Sequence, residues 1–139
     1  MKAAPLFVDT SAWIALLDLS DGQHERASRF WHGCLAEGRR FLTSDYVLDE
    51  SFTLLRRRRN GLKLATVLHD LVRESDLVVE TEIGPELREL GWEIFVGFQD
   101  KVLSFTDCTS FALMRSRQLL EAFSFDADFQ RAGFITRPA

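Results

Sequence analysis

A chain of 139 residues, 46% hydrophobic and 27% charged, has the length and balance of one globular domain, and 1–139 is expected to fold as such. A net charge near −4 excludes a protein that gathers nucleic acid by bulk charge; such a partner needs a local basic patch or bridging metal ions. The two cysteines, Cys34 and Cys108, have no metal-type spacing and suit a reducing cytoplasm, no stretch reads as a secretory leader, and no apolar run is long enough to span a bilayer.

Pro5 introduces Leu6-Phe7-Val8, a short continuous apolar run of the buried-strand kind. A helix is predicted from about Ser11 to Leu17, broken by Asp21-Gly22, and a second from about His24 to Glu37, ended by Gly38. Arg40 to Thr43 reads as a strand. Ser44 or Asp45 caps a helix expected to reach Arg59, with Val47, Ser51, Leu54 and Leu55 on its inner face. Asn60-Gly61 punctuates, and a helix runs from Leu62 to about Arg73. Leu77 to Val79 is a third strand, and Gly84-Pro85 starts a helix through about Phe98. Thr106 is the expected cap of a helix from Asp107 to Arg117. Leu120 to Phe125 is a fourth strand, Asp128 to Ala132 a helical turn, and Gly133-Phe134-Ile135 leads into the tail. Strands alternating with helices imply an α/β fold with a central parallel sheet of about four to five strands, flanked by helices.

Four acids stand where a carboxylate is hard to explain by structure alone. Asp9 ends the first apolar run, Glu50 lies between Val47 at i−3 and Leu54 at i+4, Asp107 opens a helix, and Asp126 follows an apolar stretch. Each has a plainer reading: Asp9 as a helix cap, Glu50 as half of an ion pair, Asp107 as a complement to the helix dipole, Asp126 as a turn residue. Together they read differently. Carboxylates in apolar settings cost several kcal/mol unless paired, and four in one place raise each other's pKa values. A divalent cation relieves both. Ligands of open parallel sheets bind beyond the carboxyl ends of the strands, at a switch point, which puts Asp9 and Asp126 on the same edge.

Arg56-Arg57-Arg58-Arg59 reads as a solvated helix end or as a phosphate-contacting patch. His24, His32 and His69 have no partners at ligand spacing and read as surface or packing residues. Trp13, Trp31 and Phe30 fall at helical core spacing, with a dimer face as the other reading.

The chain resembles the PIN-domain ribonucleases, specifically the VapC-type toxins of toxin–antitoxin modules. The resemblance rests on Phe7-Val8-Asp9-Thr10-Ser11-Ala12-Trp13, Thr43 to Glu50, Ser104-Phe105-Thr106-Asp107-Cys108 and Phe123 to Phe129, in order over the whole chain. It implies an acidic pocket holding Mg²⁺ or Mn²⁺ and metal-dependent RNA cleavage, with Asp9, Glu50 and Asp107 as site acids. The last motif offers two acids: Asp126, the better match, and Asp128. Thr10 or Ser11 and Thr106 are implied supports of a carboxylate or a metal-held water. The resemblance further implies an RNA substrate, a small antitoxin as partner and a homodimer.

Four carboxylates suit a one- or two-metal hydrolase, with Asp9 and Asp107 as direct ligands and Glu50 and Asp126 completing the shell. Two other classes stay open. A haloacid-dehalogenase-type phosphohydrolase wants a second Asp two residues after the first, where Ser11 stands. A non-catalytic RNA-binding or interaction module on the same fold would be expected to have lost an acid.

Overall fold

The computed structural model describes residues 3–99 and 101–139. Its centre is a five-stranded sheet in the order β3-β2-β1-β4-β5, formed by β1 (Leu6–Val8), β2 (Phe41–Ser44), β3 (Val78–Thr81), β4 (Glu121–Phe123) and β5 (Ile135–Arg137). Every neighbouring pair is parallel, with Phe7 registered on both Leu42 and Ala122. The helices are α1 (Thr10–Leu17), α2 (His24–Ala36), α3 (Asp45–Arg56), α4 (Gly61–Glu74), α5 (Pro85–Gly97), α6 (Phe105–Ser116) and α7 (Ala127–Arg131). The chain runs outward from β1 through β2 to β3, then returns to β4 on the other side of β1 and continues to β5. The switch point therefore lies between β1 and β4.

β5 was expected only as tail. Its sequence Ile-Thr-Arg carries one apolar residue, half exposed, so it lacks the buried run that marks β1. It forms by pairing with β4 at the sheet's edge. α3 stops at Arg56 rather than Arg59. Arg57 and Arg58 close a tighter turn onto the Leu54 and Leu55 carbonyls, and Asn60 takes a left-handed conformation at φ 57°. Gly61 then passes so close to the carbonyls of Leu55 and Arg56 that any Cβ would collide with them, which fixes where α4 begins.

The buried face of α3 is Val47, Leu48, Ser51 and Leu55. Leu54 was expected inside but is 37% exposed; it sits one turn beyond Glu50, at the edge of the apolar stripe. Trp13 is fully buried and Trp31 nearly so, packed on each other at 5.8 Å, with Trp31 stacked on Phe41 at 4.3 Å. Phe30 packs on Phe123 at 5.0 Å. These aromatics are core, and the dimer-face reading of them is set aside. Both cysteines are buried free thiols, and among the described residues no helix is long and apolar enough to cross a membrane.

Candidate acidic site at the sheet switch point

β1 ends at Val8, and the next residue is the N-cap of α1. Asp9 holds an extended backbone and accepts hydrogen bonds on Oδ2 from Ser11 N–H at 3.4 Å and Ser11 Oγ at 2.8 Å. The plain cap reading is therefore correct but incomplete. Ser124, just past β4, donates from Oγ to the same oxygen at 2.9 Å. The two hydroxyls also accept: Ser11 Oγ from Phe125 N–H at 2.9 Å, and Ser124 Oγ from Asp126 N–H at 3.0 Å. Two serines thus tie the turn after β4 to the carboxylate after β1. Ser11 and Ser124 leave Asp9 2% exposed.

Asp126 is the N-cap of α7 and accepts from Asp128 N–H at 2.9 Å. Asp107 lies in the first turn of α6 and is 7% exposed. The cap of that helix is Ser104, which accepts from Asp107 N–H at 3.0 Å; Thr106, the expected cap, is already inside the helix. The carbonyl of Thr106 accepts from the Thr109 and Ser110 hydroxyls. Ser104 rather than Thr106 lines the cavity. Glu50 reaches the same space from α3, half-buried beside Leu54.

A cavity of about 480 Å³ is lined by Asp9, Thr10, Ser11, Glu50, Asp107 and Asp126 together with Arg58. All four sequence-predicted acids meet there. Asp107, Asp126 and Asp128 also bring one carboxylate oxygen each within 4.8 Å of one another, a spacing that could hold a metal ion. Asp128 carries its own cations, Arg131 at 2.9 Å and Lys101 at 3.5 Å. It does not line the cavity, which favours Asp126 as the fourth acid.

Burial pushes the Asp9 carboxyl up to about 6, against the pull of the Ser11 and Ser124 hydroxyls, with the Asp126 charge adding to the rise. Burial also pushes Asp107 up to about 8, reinforced by Asp9, Asp126 and Glu50. Among the described residues no basic side chain lies within 4.0 Å of Asp9 or Asp107. Thr10 adds a second unbalanced group: its Oγ1 is buried at the cavity wall with no hydrogen-bond partner among the described residues.

Of the four arginines, only Arg58 lines the cavity. Its guanidinium bonds Asp18 at 2.9 Å and approaches Asp21 at 3.8 Å, so it is held against the α1–α2 loop although its side chain is 42% exposed. Arg56, Arg57 and Arg59 are exposed. Sequence reasoning missed Ser104, Ser124 and the Asp18–Arg58 pair. Ser124 had a signal, since it stands directly before Phe125-Asp126; Asp18 had none.

The PIN domain profile matches residues 6–135. The 23S rRNA-specific endonuclease VapC20 of Mycobacterium tuberculosis is 38% identical over 130 residues, covering 94% of this chain and 95% of that protein. The crystal structure of Mycobacterium tuberculosis VapC20, described as a sarcin-ricin loop cleaving toxin, matches with a TM-score of 0.85 at 37% identity, over 94% of this chain and 96% of that one. VapBC2 from Rickettsia felis, solved bound to a DNA fragment from their promoter, matches at a TM-score of 0.72 with 9% identity, over 96% and 98% of the two chains, a likeness of fold. With a domain match over nearly its whole length and a relative this close, the chain belongs to the PIN-domain family, in its VapC-type branch.

Proposed function

We propose that the protein is a Mg²⁺- or Mn²⁺-dependent endoribonuclease acting as the toxin of a toxin–antitoxin module. The observation that carries this reading is the cavity in which Asp9, Glu50, Asp107 and Asp126 converge, with no balancing cation among the described residues at the acids most buried. The donor set is all hard oxygen, which suits Mg²⁺ or Mn²⁺ rather than zinc or copper. The raised Asp9 and Asp107 carboxyls fit a site whose charge is completed by a cation. The orphaned Thr10 hydroxyl fits a group that acquires its partner only when the site fills.

Asp9 and Asp107 are the proposed direct ligands, with Glu50 and Asp126 completing the shell. A divalent cation there supplies Lewis acidity toward the phosphodiester and lowers the pKa of nearby water. The protein's own residues do the positioning. Ser11 and Ser124 fix the Asp9 carboxylate by its Oδ2 and keep it aimed at the cavity. Ser104 starts α6 at the position that presents Asp107. The N-terminal ends of α1 and α6 lie at this cavity and favour negative charge there, substrate phosphate included. Arg58, held by Asp18, offers a fixed guanidinium at the cavity wall and is the proposed phosphate contact, with Arg56, Arg57 and Arg59 as weaker ones.

The substrate class follows from similarity to VapC20: RNA, with ribosomal RNA first to be tried, entering as a loop whose backbone can reach a small pocket. A small antitoxin and a homodimer belong to the same proposal. Since the early tryptophans are core, apolar contact would come from the exposed side chains of α5, Leu90, Trp92 and Val96.

The test is cleavage of 23S rRNA and of a structured loop by the purified protein with Mg²⁺ or Mn²⁺, with EDTA, and by Asp9→Asn. Cleavage is expected only for the wild type with metal. Full activity in excess EDTA sinks the reading.

A further inference from the structure

Beside the acidic cavity lies a second one of about 570 Å³, and the two share Gln23, Phe125 and Asp126 as common walls. Its far side is formed by Gln130, Thr136 and Arg137. We infer that this second cavity is a nucleotide subsite: the base of the nucleotide next to the cleaved phosphodiester packs on the ring of Phe125, and a flanking phosphate meets Arg26. The inference rests on the ribonuclease reading and names the part of the substrate that the acids do not touch.

Phe125, two residues past β4, is unlike the phenylalanines of the sheet. Phe7, Phe41 and Phe123 are fully buried, whereas Phe125 is half-buried and lines both cavities. Its ring is braced edge-on by Phe123 at 6.1 Å. Its backbone N–H is held by Ser11 Oγ, the hydroxyl that also binds Asp9. The position of the ring is therefore coupled to the position of the acid. An aromatic surface held rigidly one step from a phosphodiester site is the element that single-stranded nucleic acid uses for stacking, because every base has a π-face.

The polar groups around the ring suit the rest of a nucleotide. The Arg26 guanidinium carbon lies over the Phe125 ring, 5.6 Å from its centroid, so a base would stack on the face that Arg26 leaves open, and among the described residues no Asp or Glu side chain is within 4.0 Å of Arg26. Its bonds go to Gln23 Oε1 at 3.1 Å and to a main-chain oxygen of Ala139 at 3.3 Å. Arg137, the other guanidinium of the cavity, is committed to Glu121 at 2.7 Å. Among the described residues, Arg26 is thus the guanidinium of this cavity that no Asp or Glu side chain pairs. Gln130 donates from Nε2 to Thr136 Oγ1 at 2.8 Å and adds an amide at the base's edge.

Binding of a short fluorescent single-stranded oligoribonucleotide, measured in EDTA, reads the subsite without metal or cleavage. Phe125→Leu should weaken binding roughly tenfold, the size of one lost base–aromatic stack, while Phe125→Trp stays close to wild type. Replacing one nucleotide by an abasic unit should cost the wild type a similar factor at one position only, and cost Phe125→Leu nothing there. Arg26→Gln alters an exposed side chain, so the fold is unaffected, and it should lower the salt dependence of binding by about one phosphate contact. Wild-type affinity in Phe125→Leu, an equal abasic penalty in both proteins, or an unchanged salt slope in Arg26→Gln overturns the subsite. If the coupling to Phe125 is found but cleavage proves absent or indifferent to metal, the catalytic reading fails and the subsite stands.

Discussion

The two ends of α1 each carry a buried aspartate, and the two have opposite fates. Asp9 caps the N-terminus and Asp18 the C-terminus. The helix dipole favours a negative charge at the first and disfavours it at the second. The carboxyls are ordered the other way. Asp18 is held below the ordinary range by the Ser20 hydroxyl and N–H, with Arg58 adding to the effect. Asp9 is raised to about 6 because burial strips its water and Asp126 stands nearby, and two serine hydroxyls do not make up the difference. Desolvation and specific partners outweigh the dipole at both ends. Asp18 is a finished structural joint that binds the α1–α2 loop to the end of α3; Asp9 belongs to a cluster whose charge is unfinished.

The largest effect expected from this contrast is on cleavage. Asp9→Asn or Asp107→Asn should slow metal-dependent RNA cleavage by more than about a hundredfold, beyond the 10–100-fold usual for residues behind the ligands. Asp18→Asn should lose less than about tenfold. Single-turnover rates on one RNA substrate check this. Comparable losses at Asp9 and Asp18 would erase the distinction between the two ends.

Stability against pH sharpens the contrast further. The folded-state carboxyls of Asp9 and Asp107 are raised, to about 6 and about 8. In that window the folded protein holds more protons than the unfolded chain, so stability falls as pH rises. Each tenfold change in proton affinity is worth about 1.4 kcal/mol, so Asp9 alone makes the metal-free fold about 3 kcal/mol less stable above pH 6 than below pH 4. Asp18 and Glu121 are depressed, and their contribution is instead lost in acid below the ordinary carboxylate range. In EDTA the melting temperature should therefore peak in mild acid and fall toward pH 8. Millimolar Mn²⁺ should offset part of the fall at pH 8, since a ligand at a hundred times its Kd adds about 2.7 kcal/mol. A melting temperature at pH 8 indifferent to Mn²⁺ would contradict a metal site.

The contrast also marks what a sequence can and cannot carry. β1 and the acids after β1 and β4 were legible because continuous apolar runs end on them, and a strand's end in a parallel sheet is where ligands bind. Glu50 was legible because it interrupts a helical stripe, although the structure puts it at the stripe's edge with Leu54. β5 was not, because an edge strand of one apolar residue has no pattern of its own. Ser104 displaced Thr106 as cap because either residue can cap, and helix phase decides only once α6 packs. The Asp18–Arg58 pair spans 40 positions, a separation at which no local pattern pairs an acid with a base.

The joint at Asp18 has a testable strength. Asp18→Asn removes a charge-assisted bond to Arg58 and weakens the loop held through Ser20, which should cost about 1–3 kcal/mol in denaturant unfolding. Arg58→Gln should cost less, because its side chain is 42% exposed while that of Asp18 is 9%. The double variant should be less destabilised than the sum of the singles. Strict additivity would mean that Arg58 is not held by Asp18 in solution, and the fixed guanidinium beside the acids would lose its support.

The smallest effect concerns the rest of the arginine run. Arg56, Arg57 and Arg59 are exposed, and only Arg58 lines the acidic cavity. If the run guides RNA toward the acids, the exposed members act at long range, through counterion release rather than fixed geometry. Arg57→Glu with Arg59→Glu should then weaken RNA binding severalfold and reduce the slope of log affinity against log salt by about 1.4, two single-strand phosphate contacts at about 0.7 each. Cleavage at saturating RNA should be unchanged, because neither side chain borders the cavity. Titrations of one oligoribonucleotide across a salt series measure both quantities. An unaltered slope would reduce these residues to a solvated helix end and leave Arg58 as the run's sole functional member; an altered cleavage rate at saturation would mean that the run reaches the reacting phosphate, and that the division between a positioned arginine and free ones is wrong.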